Sequence, residues 1–378
     1  MSFVPQPPPP LPPASTSFSG GRGRFFRLVS RGAALELVTL GFYRFWLATD
    51  IRRHLWTNTI VDGDAAEYTG RGKELLIGFL FALAILVPIY LAYFLVSIEA
   101  ERFKGFAGVP LVIAFYAFGQ FAIYRARRYR LTRTVWRGVR FWMDGSGWAY
   151  AGRSMLWTML VVVTLGFAWP WREAALERYK MRHSYYGDLQ GRFEGRGWDF
   201  FKQAWWLWLC TPIAIVLFPL LPFLYARFRA IEWRWWVSGI RFGGADLQST
   251  LRPGALQGLY WKVIGWFALL SLASGSYFGV VGGLAVKFGE DAADDGLPTP
   301  EVLLDNIPLL VMLGLGYVAL MLALNVVMRL YLLRDIWVKV LDSVELRGLE
   351  ALANVVAKGD LASALGEGFA DGLDVAGF

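Results

Sequence analysis

The chain has 378 residues, 56% of them hydrophobic and only 18% charged, with a mean hydropathy of +0.41. That balance argues against a soluble globular domain, which carries about a quarter charged residues, and points to a membrane protein. One cysteine (Cys210) and two histidines (His54, His183) exclude a disulfide framework and make a Cys/His metal centre untenable. An excess of 38 basic over 30 acidic residues sits directly beside apolar segments, as expected for cytoplasmic loops against anionic lipid rather than for a nucleic-acid surface.

The N-terminus, MSFVPQPPPPLPP, holds seven prolines, which favour extended polyproline backbone without a core. Residues 1–24 are therefore expected to form a disordered tail, and the tail lacks the basic and apolar regions of a cleavable signal. A first, weaker apolar segment at 33–48 contains Glu36 and Arg44, so it reads as short, tilted or interfacial. The stretch 75–97 has no charged side chain, and about 20 apolar residues cross a hydrocarbon core of roughly 30 Å. Further segments follow at 107–124, 155–171, 204–226, 259–284 and 308–332. The predicted fold is an all-α polytopic transmembrane helical bundle with six or seven hydrophobic segments. It occupies residues 25–345 and is followed by a cytoplasmic C-terminal tail at 346–378. Within 334–349, Ile336, Trp337, Val340, Leu341 and Val344 approximate helical spacing. They predict an amphipathic surface helix or a continuation of the last span.

Internal repeats appear on shifting the chain against itself. A shift of 125 residues places Thr39-Leu40-Gly41-Phe42 on Thr164-Leu165-Gly166-Phe167, Trp46 on Trp171, and Gly70-Arg71-Gly72 on Gly195-Arg196-Gly197. A shift of 101 maps Tyr124 on Tyr225, Arg128 on Arg229, Arg133 on Arg234, and Gly138-Val139-Arg140-Phe141 on Gly239-Ile240-Arg241-Phe242. Topology is left with two arrangements. Six plain crossings would put loop 172–203 outside, although its repeat partner 49–74 is basic and inside. Re-entrant segments at 155–171 and 204–226, broken near Pro170, Pro212, Pro219 and Pro222, would keep every basic loop on one side. Loop 287–307, acidic and with no arginine, is external in either case, and the C-terminus is cytoplasmic.

The segment Tyr124–Phe141, YRARRYRLTRTVWRGVRF, interleaves seven arginines with aromatic residues. Arginine forms a planar fork of donors suited to phosphate, and aromatic rings anchor at headgroup depth. Arg128, Arg133, Arg137, Arg140, Arg229 and Arg241 are thus candidate lipid-phosphate ligands, with Trp136, Tyr129, Trp46 and Trp171 as interfacial anchors. Topogenic anchoring alone and a protein partner are the competing uses of the same residues. Span interiors offer only neutral polar groups, Gln120, Asn325 and the serines around Ser274. These could line a pore or groove, though such groups more often tie helices together. No nucleophile stands beside a base, Asp62 and Asp64 flank Gly63 as in a turn, and Glu232 reads as an ion-pair partner. The expectation is a non-enzymatic protein without metal or cofactor that binds anionic lipid or scaffolds the envelope. The alternative is a channel or transporter for a small or amphipathic solute, and a homo-oligomer is compatible with both.

Together, TLGFYRFW (39–46), YRARRYRLTRTVWRGVRF (124–141), TLGFAWPW (164–171) and GEGFADGLD (366–374) resemble the YjgN-like family of bacterial inner-membrane proteins, a domain of unknown function. The resemblance runs from about Phe25 to the end and implies a multi-pass protein of the bacterial inner membrane. A further TLG…PW element typical of the family near its last span is replaced here by NVVMRLYLLRDIW. The resemblance implies no catalytic residues.

Overall fold

A computed structural model describes residues 14–99, 104–288 and 307–363. Met1–Pro13, most of the acidic loop 287–307 and the GEGFADGLD ending lie outside the described residues. The all-α expectation is corrected: the chain builds a closed ten-stranded antiparallel β-barrel from which helices emerge. The strands are β1 (Ala14–Phe18), β2 (Thr59–Val61), β3 (Asp64–Tyr68), β4 (Thr134–Trp136), β5 (Val139–Met143), β6 (Ser184–Tyr186), β7 (Leu189–Phe193), β8 (Ile240–Phe242), β9 (Ala245–Ser249) and β10 (Val344–Arg347). Each pairs with its neighbour in sequence, and β1 closes the ring against β10 through Ala14–Leu346 and Ser15–Glu345. Residues 14–24, expected in the disordered tail, thus supply β1 and the start of the first helix.

Two-residue turns make the β-hairpins. Asp62-Gly63 (φ +51° and +81°) and Arg137-Gly138 (φ +49° and +75°) have both central residues left-handed, the type I′ geometry that matches strand twist. Gly187-Asp188 and Gly243-Gly244 have φ of +56° at the first residue only, as in type II′. These strands leave little signal in the sequence because they are only three to five residues long. They show neither the length nor the clean alternation that marks a strand.

Among the described residues, every connection between β-hairpins is helical. Because neighbouring strands alternate in direction, the tight turns share one rim and the helices leave from the other. The helices are α1 (Arg22–Val38), α2 (Arg44–Thr57), α3 (Gly72–Glu99), α4 (Lys104–Thr132), α5 (Gly147–Val163), α6 (Trp169–Arg182), α7 (Gly197–Val216), α8 (Leu221–Ser238), α9 (Gln257–Phe288) and α10 (Ile307–Met328). A π-helical stretch, Arg329–Asp335, continues α10 into α11 (Ile336–Leu341) and then β10. Of the two readings of 334–349, the continuation of the last span holds, since that span runs to Leu341 and the chain then enters β10.

Among the described residues, four helices are long and apolar enough to cross a membrane: Gly72–Phe94, Val109–Thr132, Gln257–Leu284 and Ile307–Leu341. The other three predicted segments do not read as single helices. Segment 155–171 joins the end of α5 to the start of α6, segment 204–226 joins α7 to α8, and 33–48 joins α1 to α2. Their turns have a local cause. Thr39 Oγ1 donates to the Leu35 carbonyl (2.7 Å) and accepts from the Tyr43 amide (2.9 Å). Thr164 repeats this with Leu160 (2.8 Å) and Ala168 (3.1 Å). In each turn the next two residues have φ above +50° or at it: Leu40 +51° and Gly41 +87°, Leu165 +50° and Gly166 +91°. Pro170 and Pro222 then stand in the first turn of α6 and α8, where a missing N–H costs nothing.

The chain separates into two compact units, one of residues 1–20, 45–255 and 338–378, the other of 21–44 and 256–337. The first contains the barrel and α2 to α8. Inside it, Trp136, Tyr186, Phe193, Ile240, Val344 and Leu346 are buried. Phe200 stacks on Trp235 at 5.1 Å where α7 and α8 meet the strands. The second unit holds α1, α9 and α10, with ion pairs Arg22–Asp335 (3.0 Å) and Arg329–Glu36 (3.2 Å).

Candidate functional site

A polar cavity of about 450 Å³ opens at the helix-bearing rim of the barrel. The β7–α7 connection supplies Glu194, Gly195 and Arg196, and α7 contributes Asp199 and Gln203. The end of α8 adds Arg234, Trp235, Ser238 and Gly239, and the strands add Arg241, Gln248 and Ser249. The fold places these groups by packing. Gly197 lets α7 start against the backbone of Trp171, since a Cβ there would lie 2.8 Å from the Trp171 Cα. Trp235 is held by donating from its indole to the Arg196 carbonyl at 3.0 Å.

Charge inside the cavity is uneven. Arg241 is occupied: its Nε lies 3.4 Å from Glu194, and its Nη1 donates to the carbonyls of Ser238, Ile240 and Leu247. Arg196 and Arg234 are exposed and their guanidinium groups have no ion pair among the described residues. With Asp199 as the remaining acid, one net positive charge faces the opening, which one phosphodiester would neutralise. Helix α7 starts there without a side-chain cap, so the positive end of its dipole favours an anion. Trp198, one residue into α7, is exposed, stacks on Phe201 (5.5 Å) and carries Lys202 5.6 Å above its ring.

The structure scatters the sequence-derived candidates. Arg137 lies at the opposite rim, on a turn, bound to Asp62 (2.8 Å) and Asp64 (2.5 Å) of the neighbouring turn. Arg133 is buried with Glu74 at 2.9 Å and donates to the Ala362 carbonyl at 3.1 Å. Arg140 donates to the Thr132 carbonyl at 2.6 Å, and burial beside Arg133 pushes its pKa down. Arg128 is half-buried on α4, while Arg229 is paired with Glu232. Of the six, only Arg241 lines the cavity. The 101-residue shift does not follow the architecture either, because it lays Arg140 of β5, a second hairpin strand, on Arg241 of β8, a first strand. Residues related by the 125-residue shift do correspond in place: Gly72 abuts the backbone of Trp46 as Gly197 abuts that of Trp171.

Among the expected anchors, Trp136 and Tyr129 are core residues, 6% and 0% exposed. Trp136 packs 5.7 Å from Tyr186 inside the barrel, and the Tyr129 hydroxyl donates to Glu74 at 2.8 Å. Trp46 is partly exposed, and Trp171 packs on Trp198 and Phe201. Gln120 accepts from Ser154 at 2.9 Å, a tie between α4 and α5. Ser274 and Asn325 lie in the second unit, where the Asn325 Oδ1 is buried without a hydrogen-bond partner.

Beside the cavity lies an ionic network that the sequence reading missed. Glu177 of α6 receives Arg127 Nη1 of α4 at 3.0 Å and also binds Lys180. Burial opposes its ionisation, but Arg127 and Lys180 overcome this and hold the carboxyl down at about 2. Glu232 moves the other way: burial raises its pKa, only partly offset by Arg229. Glu177 thus ties α4 to α6, and the hydrogen bond it accepts from Trp236 brings in α8. No group of three or more His, Cys, Asp or Glu among the described residues is placed to hold a metal ion.

A barrel of short strands crowned by apolar helices and a basic rim defines a membrane-associated α/β protein. The chain belongs to the family described as "Bacterial protein of unknown function (DUF898)", the YjgN family, whose model matches residues 13–224. That stretch runs from β1 into the start of α8. No curated protein and no solved structure matches the chain.

Proposed function

We propose that this is a non-enzymatic protein of the bacterial inner membrane that holds an anionic phospholipid headgroup at the barrel rim. The barrel faces the cytoplasm, and Arg196 and Arg234 are the phosphate ligands. One observation carries the reading: two arginines without ion pairs share a polar cavity at the rim where apolar helices leave the barrel. Headgroups of a bilayer crossed by α3 and α4 lie at that level, and arginine forks match phosphate oxygens. The barrel-side loops are rich in arginine, which orients the barrel inward.

Arg137, neutralised at the other rim, has no part in this site. Of the polar groups named for a solute pathway, Gln120 is bonded to Ser154. A thermal-shift titration in detergent tests the proposal. Water-soluble phosphatidylglycerol at a hundred times its Kd should stabilise the protein by about 2.7 kcal/mol. Phosphatidylcholine should do little, and the Arg196→Ala/Arg234→Ala variant should lose the response. An equal shift with both lipids, or a full shift in the variant, would remove the site.

A further inference from the structure

We propose that the α5–α6 and α7–α8 hairpins end inside the hydrocarbon core as apolar wedges entered from the barrel side and never reach the far face. The partner is the acyl-chain region of the bilayer. The inference rests on the membrane reading of α3 and α4 but not on headgroup binding at the rim. Its first support is the tips themselves: Val163 is 79% exposed, Leu165 86% and Val216 83%. In water such side chains would form an unprotected patch at the end of each hairpin.

Depth is set by bonds to a spanning helix. Ser154 of α5 donates to Gln120 at 2.9 Å, and Thr158 meets the Tyr116 hydroxyl at 2.5 Å. Both partners lie inside the span Val109–Thr132, so α5 runs alongside α4 at membrane depth instead of lying on the surface. Tyr150 is level with Tyr124, ring centroids 5.4 Å apart, where α4 passes from apolar to arginine-rich sequence. From Tyr150 to Leu165 the helix rises about 22 Å at 1.5 Å per residue. That falls short of a core of about 30 Å. From Lys202 to Val216, α7 rises about 21 Å by the same measure.

Arg172, one turn inside the α5–α6 tip, is compatible with this depth. Its guanidinium is bound by Thr158 (3.2 Å), Ser154 (3.2 Å) and Glu173, and intramembrane charges persist when enclosed by such partners. A consequence follows for the bilayer. Within this unit α3 to α8 all enter from the barrel side, while among the described residues only α3 and α4 are both long and apolar enough to cross. This unit therefore takes up more area in the barrel-side half of the membrane than in the far half, and lipid must fill the space beyond each tip.

Cysteine labelling decides the matter in the full-length protein with Cys210→Ala. Glu67→Cys on β3 and Gln190→Cys on β7 are exposed barrel positions remote from the tips, so their folding is not at risk. In oriented vesicles an impermeant maleimide should label both from the same face, and label Leu165→Cys or Leu217→Cys from neither. Six plain crossings would put Glu67→Cys and Gln190→Cys on opposite faces. That result, or labelling of a tip position from either side, overturns the proposal whether or not the rim binds lipid.

Discussion

Replacing Glu177 with glutamine removes one charge from the network joining α4, α6 and α8 while keeping the side chain's shape. Glu177 is 5% exposed, and the Arg127 and Lys180 side chains that bind it are 19% and 12% exposed. Solvent screening is therefore slight. Taking one partner from a buried pair leaves the other charge uncompensated and costs about 3–5 kcal/mol. At about 2–4 °C per kcal/mol for a body of this size, the unfolding midpoint in nanodiscs should fall by roughly 6–20 °C. The pH dependence adds a sign. Because the native carboxyl is held down at about 2, its contribution is complete above the unfolded value near pH 4.5 and disappears as pH falls toward 2. The gap between wild type and Glu177→Gln should stay level from pH 7 to 5 and close below that. A midpoint shift under 2 °C, or a gap that widens on acidification, would refute the reasoning.

Other outcomes follow from the same geometry. Gly197→Ala should destabilise by about 1–3 kcal/mol, because the new methyl meets Trp171 backbone that cannot yield. Gly152→Ala, with nothing within 4 Å, should be neutral or stabilise slightly in the same melting assay. Arg137→Ala should change stability by less than about 1 kcal/mol, since its ion pairs are exposed, and should leave phosphatidylglycerol binding intact in the thermal-shift titration.

How much of this could be read beforehand is clearest in particular residues. Apolar length identified α3, α4, α9 and α10 correctly, because a lipid-facing helix needs little beyond hydrophobicity. The same signal misled at 155–171, where Thr164-Leu165-Gly166 reverses the chain but remains apolar, so hydropathy sees one segment where the backbone makes two helices. Asp62-Gly63 was legible as a turn. Its consequence, two flanking strands, was not drawn because TIV and DAAEY are too short to show a period. Ring closure of ten such strands depends on pairing between residues as distant as Ser15 and Glu345, which no local pattern encodes. For the site, arginine density pointed to Tyr124–Phe141, yet density says nothing about pairing. Most of those arginines are spent on Glu74, Glu177, Asp62 and backbone carbonyls. Arg196 stood in a Gly-Arg-Gly match between repeats, and the useful signal was its position between a strand and a helix start.

The most direct test of the central claim is native mass spectrometry of the protein released from bilayers of mixed phosphatidylglycerol and phosphatidylethanolamine. Wild type and Arg137→Ala should both retain phosphatidylglycerol, and Arg196→Ala/Arg234→Ala should arrive without it. Retention by the double variant, or no selective lipid on any of the three, would contradict a headgroup site at the barrel rim.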